Sequence, residues 1–329
     1  MFCQSGSGTS IIASSRCRKK PLPASLFIDS LVRSIQVGSL YALMALGLTL
    51  TMAVVRLPNF AHAELITVGA YTALLASAWL AGSVPVILCL AFLGSALAAW
   101  AAHRVVYRPL ARLNLSTYTM ILASFAVGLI LRYLIFLLVD RYDYFDRAIQ
   151  IRQQIWLRTP YLILTNIFFW SVPTALLLMA ALSLALNRTD LGRQMRALAD
   201  NVTLARVTGI PVDRVHDLTW LLVGGLAGVG GALWGTYSSV HPLMGWVAVL
   251  SVFAATVLGG MTSFTGTILG AYVVSFSENL FMQWLNYQFG LDFSFKAAVP
   301  FTIIILVLLF RPEGLTGFME SLRGWQSRS

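Results

Sequence analysis

Charge is scarce in this chain. Only 11% of its 329 residues are Asp, Glu, Lys or Arg, whereas 58% are hydrophobic, and the mean hydropathy is +0.77. A water-soluble domain carries roughly 25% charged residues, so water is excluded as the main solvent. Cysteine is equally sparse: Cys3, Cys17 and Cys89 are too few and too scattered for a disulfide scaffold or a metal cluster. Four histidines, His62, His103, His216 and His241, stand far apart. The sequence has no glycine-rich phosphate loop ending in Gly-Lys-Ser/Thr, no His-Glu-x-x-His and no Gly-x-Ser-x-Gly. Those absences remove the usual routes to ATP, zinc or acyl chemistry within the chain. If ATP is used, a separate ATPase must supply it, and neither a metal nor a cofactor is expected here. The net charge of +10 is weak evidence for nucleic acid, because no aromatic-lined basic domain accompanies it.

Long apolar runs are what the chain has instead. They cover residues 35–55, 60–79, 84–102, 116–139, 161–186, 218–237, 246–258, 264–285 and 297–310. Most approach or exceed the roughly 20 residues that cross hydrocarbon at about 1.5 Å per residue. The runs at 246–258 and 297–310 are short, and need flanking polar residues, a thin region of bilayer or shielding by neighbours. The expected fold is an all-α polytopic membrane protein with about eight or nine transmembrane helices. Residues 1–30, with Arg16-Cys-Arg-Lys-Lys20, Pro21 and Pro23, read as a flexible basic leader, since no small-residue cleavage site follows a short apolar stretch. The membrane domain spans 31–318, and 319–329 form a short tail.

Basic residues near span ends stay cytoplasmic. Arg104, Arg108 and Arg112 form one inside cluster, and Arg188, Arg193, Arg196, Arg206 and Arg214 form a second. Between them, four arginines in 140–158 are nearly balanced by Asp140, Asp143 and Asp146, so that stretch reads as outside. The leader also prefers the inside, yet three apolar runs separate it from Arg104. Either one run does not cross or the N terminus lies outside.

Residues 187–216 are the longest polar connection on the inside. Leu191, Met195, Leu198, Val202 and Ala205 recur every three or four residues, with Arg193, Arg196, Asp200 and Asn201 on other faces. The spacing predicts one amphipathic helix over 191–208, about 27 Å long, started by Thr189 or Asp190 and ended by Gly209 and Pro211. Such a helix lies on anionic lipid, docks a cytoplasmic partner or closes a structural loop.

Two further features are internal to the spans. Gly224, Gly228, Gly231 and Gly235 form one small-residue set, and Gly259, Gly260, Gly266 and Gly270 another. Glycine at that spacing lets helix backbones approach closely, either for static packing or for sliding surfaces. Asn59, His62, Glu64, Arg132 and Glu278 are polar groups in apolar surroundings. Exposed to hydrocarbon they are costly, so they are expected to turn inward, pair across helices or line a path. His62 and Glu64 are about 200° apart on a regular helix, which argues against a shared metal site.

Four blocks in order resemble the LivH-type permease family, the membrane subunits of ATP-driven importers for branched-chain and related amino acids. They are Gly38-Ser-Leu-Tyr-Ala-Leu-Met-Ala-Leu-Gly-Leu-Thr-Leu50 with Asn59-Phe-Ala-His-Ala-Glu64; Gly192-Arg-Gln-Met-Arg-Ala197 with Asp200, Ala205 and Gly209-Ile210; Leu258-Gly-Gly-Met261 through Gly266 and Leu269-Gly-Ala271; and Phe310-Arg-Pro-Glu-Gly-Leu315. The resemblance covers about 31–318. It implies that Gly192, Arg193, Arg196, Ala197, Asp200, Gly209 and Ile210 belong to a cytoplasmic coupling segment that receives the ATPase. It also implies a second homologous permease subunit, two cytoplasmic ATPases that use ATP and Mg, an extracytoplasmic substrate-binding protein and a bacterial inner-membrane location. Ala63 and Thr262 depart from the pattern, where the family commonly has Gly. Urea or short amides are alternative solutes within the same architecture. A secondary transporter or channel is a different class, and a membrane enzyme lacks a clustered reactive site.

Overall fold

Where side chains offer no hydrogen bonds, the backbone must satisfy itself, and a helix does this within one segment. The computed structural model describes residues 23–80, 83–113, 116–149, 155–159, 162–310 and 314–315. Helices dominate it: α1 Ala24–Leu50, α2 His62–Leu80, α3 Val84–Ala102, α4 Arg108–Arg112, α5 Thr117–Tyr142, α6 Asn166–Arg188, α7 Asp190–Asp200, α8 Val202–Val207, α9 Val212–Tyr237, α10 Met244–Gly259, α11 Phe264–Phe276, α12 Met282–Phe289 and α13 Ala298–Phe310. π-helical turns extend α1 over Thr51–Val55, join α3 to α4 over His103–Tyr107 and join α11 to α12 over Ser277–Phe281. Among the described residues, six helices are long and apolar enough to cross a membrane.

Several expected boundaries change. Helix α1 begins at Ala24, so the last residues assigned to the leader are helical; Ala24, Leu26, Phe27 and Ile28 carry the apolar run back past Arg33. The rest of the leader and the tail at 319–329 lie outside the described residues. The run at 161–186 is helical only from Asn166. Before it, Leu162–Thr165 pairs antiparallel with Ile155–Thr159, the hairpin β1–β2, whose few residues are too short for a span.

Helices α1 and α9 form the core. Every residue from Val37 to Leu50 is buried, and α9 is buried from Val223 to Leu233. Side-chain bonds stitch α1 to α11: Ser39 Oγ to Tyr272 OH at 2.9 Å, Thr49 to Thr267 at 2.8 Å and Ser275 Oγ to the Ser34 carbonyl at 2.8 Å. Helices α5 and α13 are peripheral, and present Leu137 and Leu309, 69% and 71% exposed, outward. That is unfavourable in water and neutral against hydrocarbon.

Glycine makes the close contacts. A Cβ on Gly224 or Gly228 would strike the Ser95 or Ala91 carbonyl of α3, and one on Gly231 would strike the Ile66 carbonyl of α2. Gly235 faces Val240, Ile149 and Ala70. In the second set, Gly259 lies against the Gly266–Thr267 backbone and Gly270 against the Ala255 carbonyl. Gly260, at φ +99°, ends α10.

Polar contacts fix the directions of α1, α3 and α9. Arg56, just past α1, donates to the carbonyls of Ala199 at 2.5 Å and Asp200 at 3.0 Å in α7. Arg104 bonds Asp217 at 2.6 and 3.0 Å, and Arg108 pairs with Asp213 at the start of α9. The ends of α1 and α3 and the start of α9 therefore share the α7 side. Arg147 and Val240 exchange backbone bonds at the opposite end. Since α2 and α3 run away from and back to the α7 side, α1 starts at the end of the bundle opposite the Arg104 cluster.

Candidate functional site

The polar stretch 187–216 folds onto the α7 end of the bundle. Thr189 Oγ1 accepts from the Gly192 amide at 3.2 Å and starts α7. The expected single helix over 191–208 is broken at Asn201, whose Oδ1 accepts from the Leu204 amide at 3.0 Å and starts α8. A capping side chain competes with the helix it interrupts, and the apolar stripe continues across the break, which hid it. Gly192, Met195, Leu198 and Ala205 are buried. A Cβ at Gly192 would collide with the Leu186 backbone, so α7 folds tightly against the end of α6. Arg196 reaches the same place, donating to the Leu186 carbonyl, one of the orphan acceptors at a helix C-terminus.

The outward face is different. Arg193, Arg196 and Asp200 are exposed, as are Leu204 at 60% and Val207 at 80%. Ala197 and Ile210 are half-buried, and Gly209 turns the chain at φ +84° in open space. Two large apolar side chains thus stand beside charged ones on a face of α7–α8 that the bundle leaves uncovered.

The intramembrane groups fall into separate places. His62 and Glu64 diverge, as their spacing requires. The Nε2 of His62 donates to the Met44 carbonyl at 2.9 Å; a carbonyl accepts only, which sets the tautomer. Glu64, with 1% of its side chain exposed, pairs with Arg132 of α5: Oε1 accepts from Nε at 2.8 Å and from Nη2 at 2.5 Å. The indole of Trp246, in α10, lies 4.4 Å from the guanidinium carbon. Two candidates that sequence reading kept apart are therefore one unit joining α2, α5 and α10. Asn59 is buried in the connector before α2, its Oδ1 accepting from the Ala61 amide at 3.1 Å and the Tyr107 hydroxyl at 3.2 Å.

Glu278 has partners of its own. Its carboxylate accepts from Tyr41 OH at 2.9 Å and Ser251 Oγ at 2.5 Å, at the end of the bundle away from α7. Among the described residues, no group of three or more His, Cys, Asp or Glu side chains is placed to hold a metal ion. Sequence reading missed Arg56, Trp246, Tyr41, Ser251 and Lys296. Only Arg56 carried a signal, a lone cation at the end of an apolar run.

Several known proteins are similar to this chain. The family described as "branched-chain amino acid transport system / permease component" matches residues 30–308. The probable branched-chain amino acid transport permease LivH of Methanocaldococcus jannaschii is 31% identical, over 85% of this chain and 89% of that protein. The permease BraD of a high-affinity branched-chain amino acid transport system in Pseudomonas aeruginosa is 30% identical, over 89% and 97%. A shorter match, to the ribose import permease RbsC of Escherichia coli, is 32% identical over 42% and 45%. The solved structure of PsaBC from Streptococcus pneumoniae in complex with Fab covers 87% of this chain and 92% of its own at 15% identity, with a TM-score of 0.47. The chain belongs to the branched-chain amino acid permease family: it is a multi-pass membrane permease subunit of an ABC importer, a role that carries no ATPase activity of its own.

Proposed function

We propose that this subunit crosses the bacterial cytoplasmic membrane nine times, with α7–α8 on the cytoplasmic side, and carries branched-chain or other hydrophobic amino acids inward. The crossings are α1, α2, α3, α5, α6, α9, α10, the α11–α12 unit and α13. Helix α10, with 16 residues, is about 24 Å long and needs a locally thin bilayer or shielding by its neighbours. Most of its residues are buried, which supports shielding. The N terminus is then extracytoplasmic, and the basic residues at 104–112 and 188–214 are inside.

The observation that carries the reading is the two-faced α7–α8 segment. One face is locked to the ends of α1 and α6 by Arg56, Arg196 and Gly192; the other offers Arg193, Asp200, Leu204 and Val207 to a partner. Coupling is assigned to Gly192, Arg193, Arg196, Ala197, Asp200, Gly209 and Ile210, with Gly192 and Arg196 acting as the fixed side. Two cytoplasmic ATPases, using ATP and Mg, close and displace this segment, and the displacement enters α1 and α6 directly. Energy enters as a difference in binding between the two conformations. A second homologous permease completes the path, and an extracytoplasmic binding protein captures the solute.

Accessibility labelling tests the arrangement. A cysteine at Thr203, exposed on α8, in a chain with Cys3, Cys17 and Cys89 replaced, is expected to react with a membrane-impermeant maleimide only after the membrane is opened. Reaction in intact cells overturns the assignment.

A further inference from the structure

At the end of the bundle formed by the start of α1 and the end of α9 lies a cavity of about 340 Å³, a size that suits a small molecule. Arg33, Tyr237, Glu278, Asn279, Phe293 and Lys296 line it. Arg33 is neutralised by Asp29 at 2.8 Å. The other two charges make no ion-pair contact among the described residues: Glu278, 3% exposed, is bonded by the hydroxyls of Tyr41 and Ser251. Lys296 Nζ donates to Asn279 Oδ1 at 2.9 Å. Each is the opposite charge that the other feels across the cavity. A carboxylate and an ammonium held apart around one cavity at a membrane boundary attract each other without a direct bond and leave both open to a bridging ligand.

The backbone is irregular at the same point. Glu278 and Asn279 lie in the π-helical turn Ser277–Phe281, a geometry frequent at functional sites. A hydroxyl pair fixes the carboxylate, an amide fixes the ammonium, and Tyr237 and Phe293 add aromatic lining to the same cavity.

We propose that this vestibule binds the charged head of a zwitterionic amino acid, its α-ammonium against Glu278 and its α-carboxylate against Lys296, while its aliphatic side chain meets the aromatic wall. The inference rests on the importer reading for its ligand, and adds to it a contact site on the permease itself. A zwitterion completes both charges at once. Urea or a neutral amide leaves both unpaired, so the site selects by charge as well as by shape.

The test uses the complete transporter in nanodiscs without its binding protein, with leucine as the probe and saturation-transfer NMR as the readout. ATP-driven leucine uptake is measured in parallel on the same purified transporter reconstituted into sealed proteoliposomes, with the binding protein added. The wild type is expected to transfer saturation to the leucine methyl groups. Lys296→Met and Glu278→Gln are expected to weaken binding at least about tenfold, the value of one charge-assisted bond, whereas Lys296→Arg retains it. 4-Methylpentanoate, which lacks the ammonium, and leucinamide, which lacks the carboxylate, are expected to bind no better to the wild type than leucine binds to the variants. If Glu278→Gln does not assemble, Lys296→Met, which loses only one amide contact, decides the matter. Unchanged leucine binding in Lys296→Met overturns the proposal. So does a wild type that imports leucine yet shows no transfer. A wild type that imports no leucine overturns the importer reading instead.

Discussion

Replacing Arg132 by methionine should destabilise the protein far more than replacing Arg132 and Glu64 together. The guanidinium gives Glu64 its only charged partner among the described residues, and Glu64 Oε2 has no hydrogen bond of its own. Arg132→Met thus strands a carboxylate that is 1% exposed beneath α5 and α10. Breaking one side of such a pair costs about 3–5 kcal/mol, and the lost contact with Trp246 adds roughly 0.5–2 kcal/mol. The double variant Glu64→Gln/Arg132→Met removes both charges and should lie within about 2 kcal/mol of wild type. A double-mutant cycle therefore predicts non-additivity of at least about 2 kcal/mol, roughly a 30-fold effect on the unfolding equilibrium. The assay is reversible unfolding in mixed detergent micelles, followed by tryptophan fluorescence. If the two single costs simply sum in the double variant, the pair is not coupled and the reasoning fails.

Arg196→Glu places a carboxylate beside the Leu186 carbonyl in place of a donor; membrane insertion should be unchanged, whereas co-purification of the ATPases falls at least about tenfold, and equal recovery would contradict this. Gly231→Leu drives a side chain into the Ile66 carbonyl and is expected to abolish recovery of monodisperse protein, with a cost above about 3 kcal/mol. Gly209→Ala meets no neighbour, so its cost is confined to the left-handed backbone, about 1 kcal/mol, and should leave expression intact; a loss as large as that of Gly231→Leu would show that the position is crowded.

The spans were legible because hydrocarbon imposes a single rule: apolar residues must continue for about 20 positions. Their ends were not. Ala24–Ile28 continue α1 beyond Arg33, but a basic leader masks that continuity, and Asn201 interrupts the amphipathic stripe without altering its period. The polar pairings were hidden for a different reason. Glu64 meets Arg132 across 68 positions, and Tyr41 meets Glu278 across 237, so each needs the helix directions before it has a partner. Those directions follow from Arg56, Arg104 and Arg108, whose contacts no local pattern contains. Lys296 stayed unnoticed because it occupies a short polar stretch between two spans, where a single lysine carries no periodic signal. The second family block singles out the α7–α8 segment in the sequence, whereas its two-sided burial, with Gly192 set against the Leu186 backbone, required coordinates.

Uptake of labelled leucine into proteoliposomes tests the central claim most directly. The vesicles contain this subunit, its partner permease and both ATPases, with ATP and Mg sealed inside and the binding protein outside. Accumulation against a gradient is expected, and is expected to stop when the ATPases are omitted or disabled. Undiminished uptake without them would contradict the account.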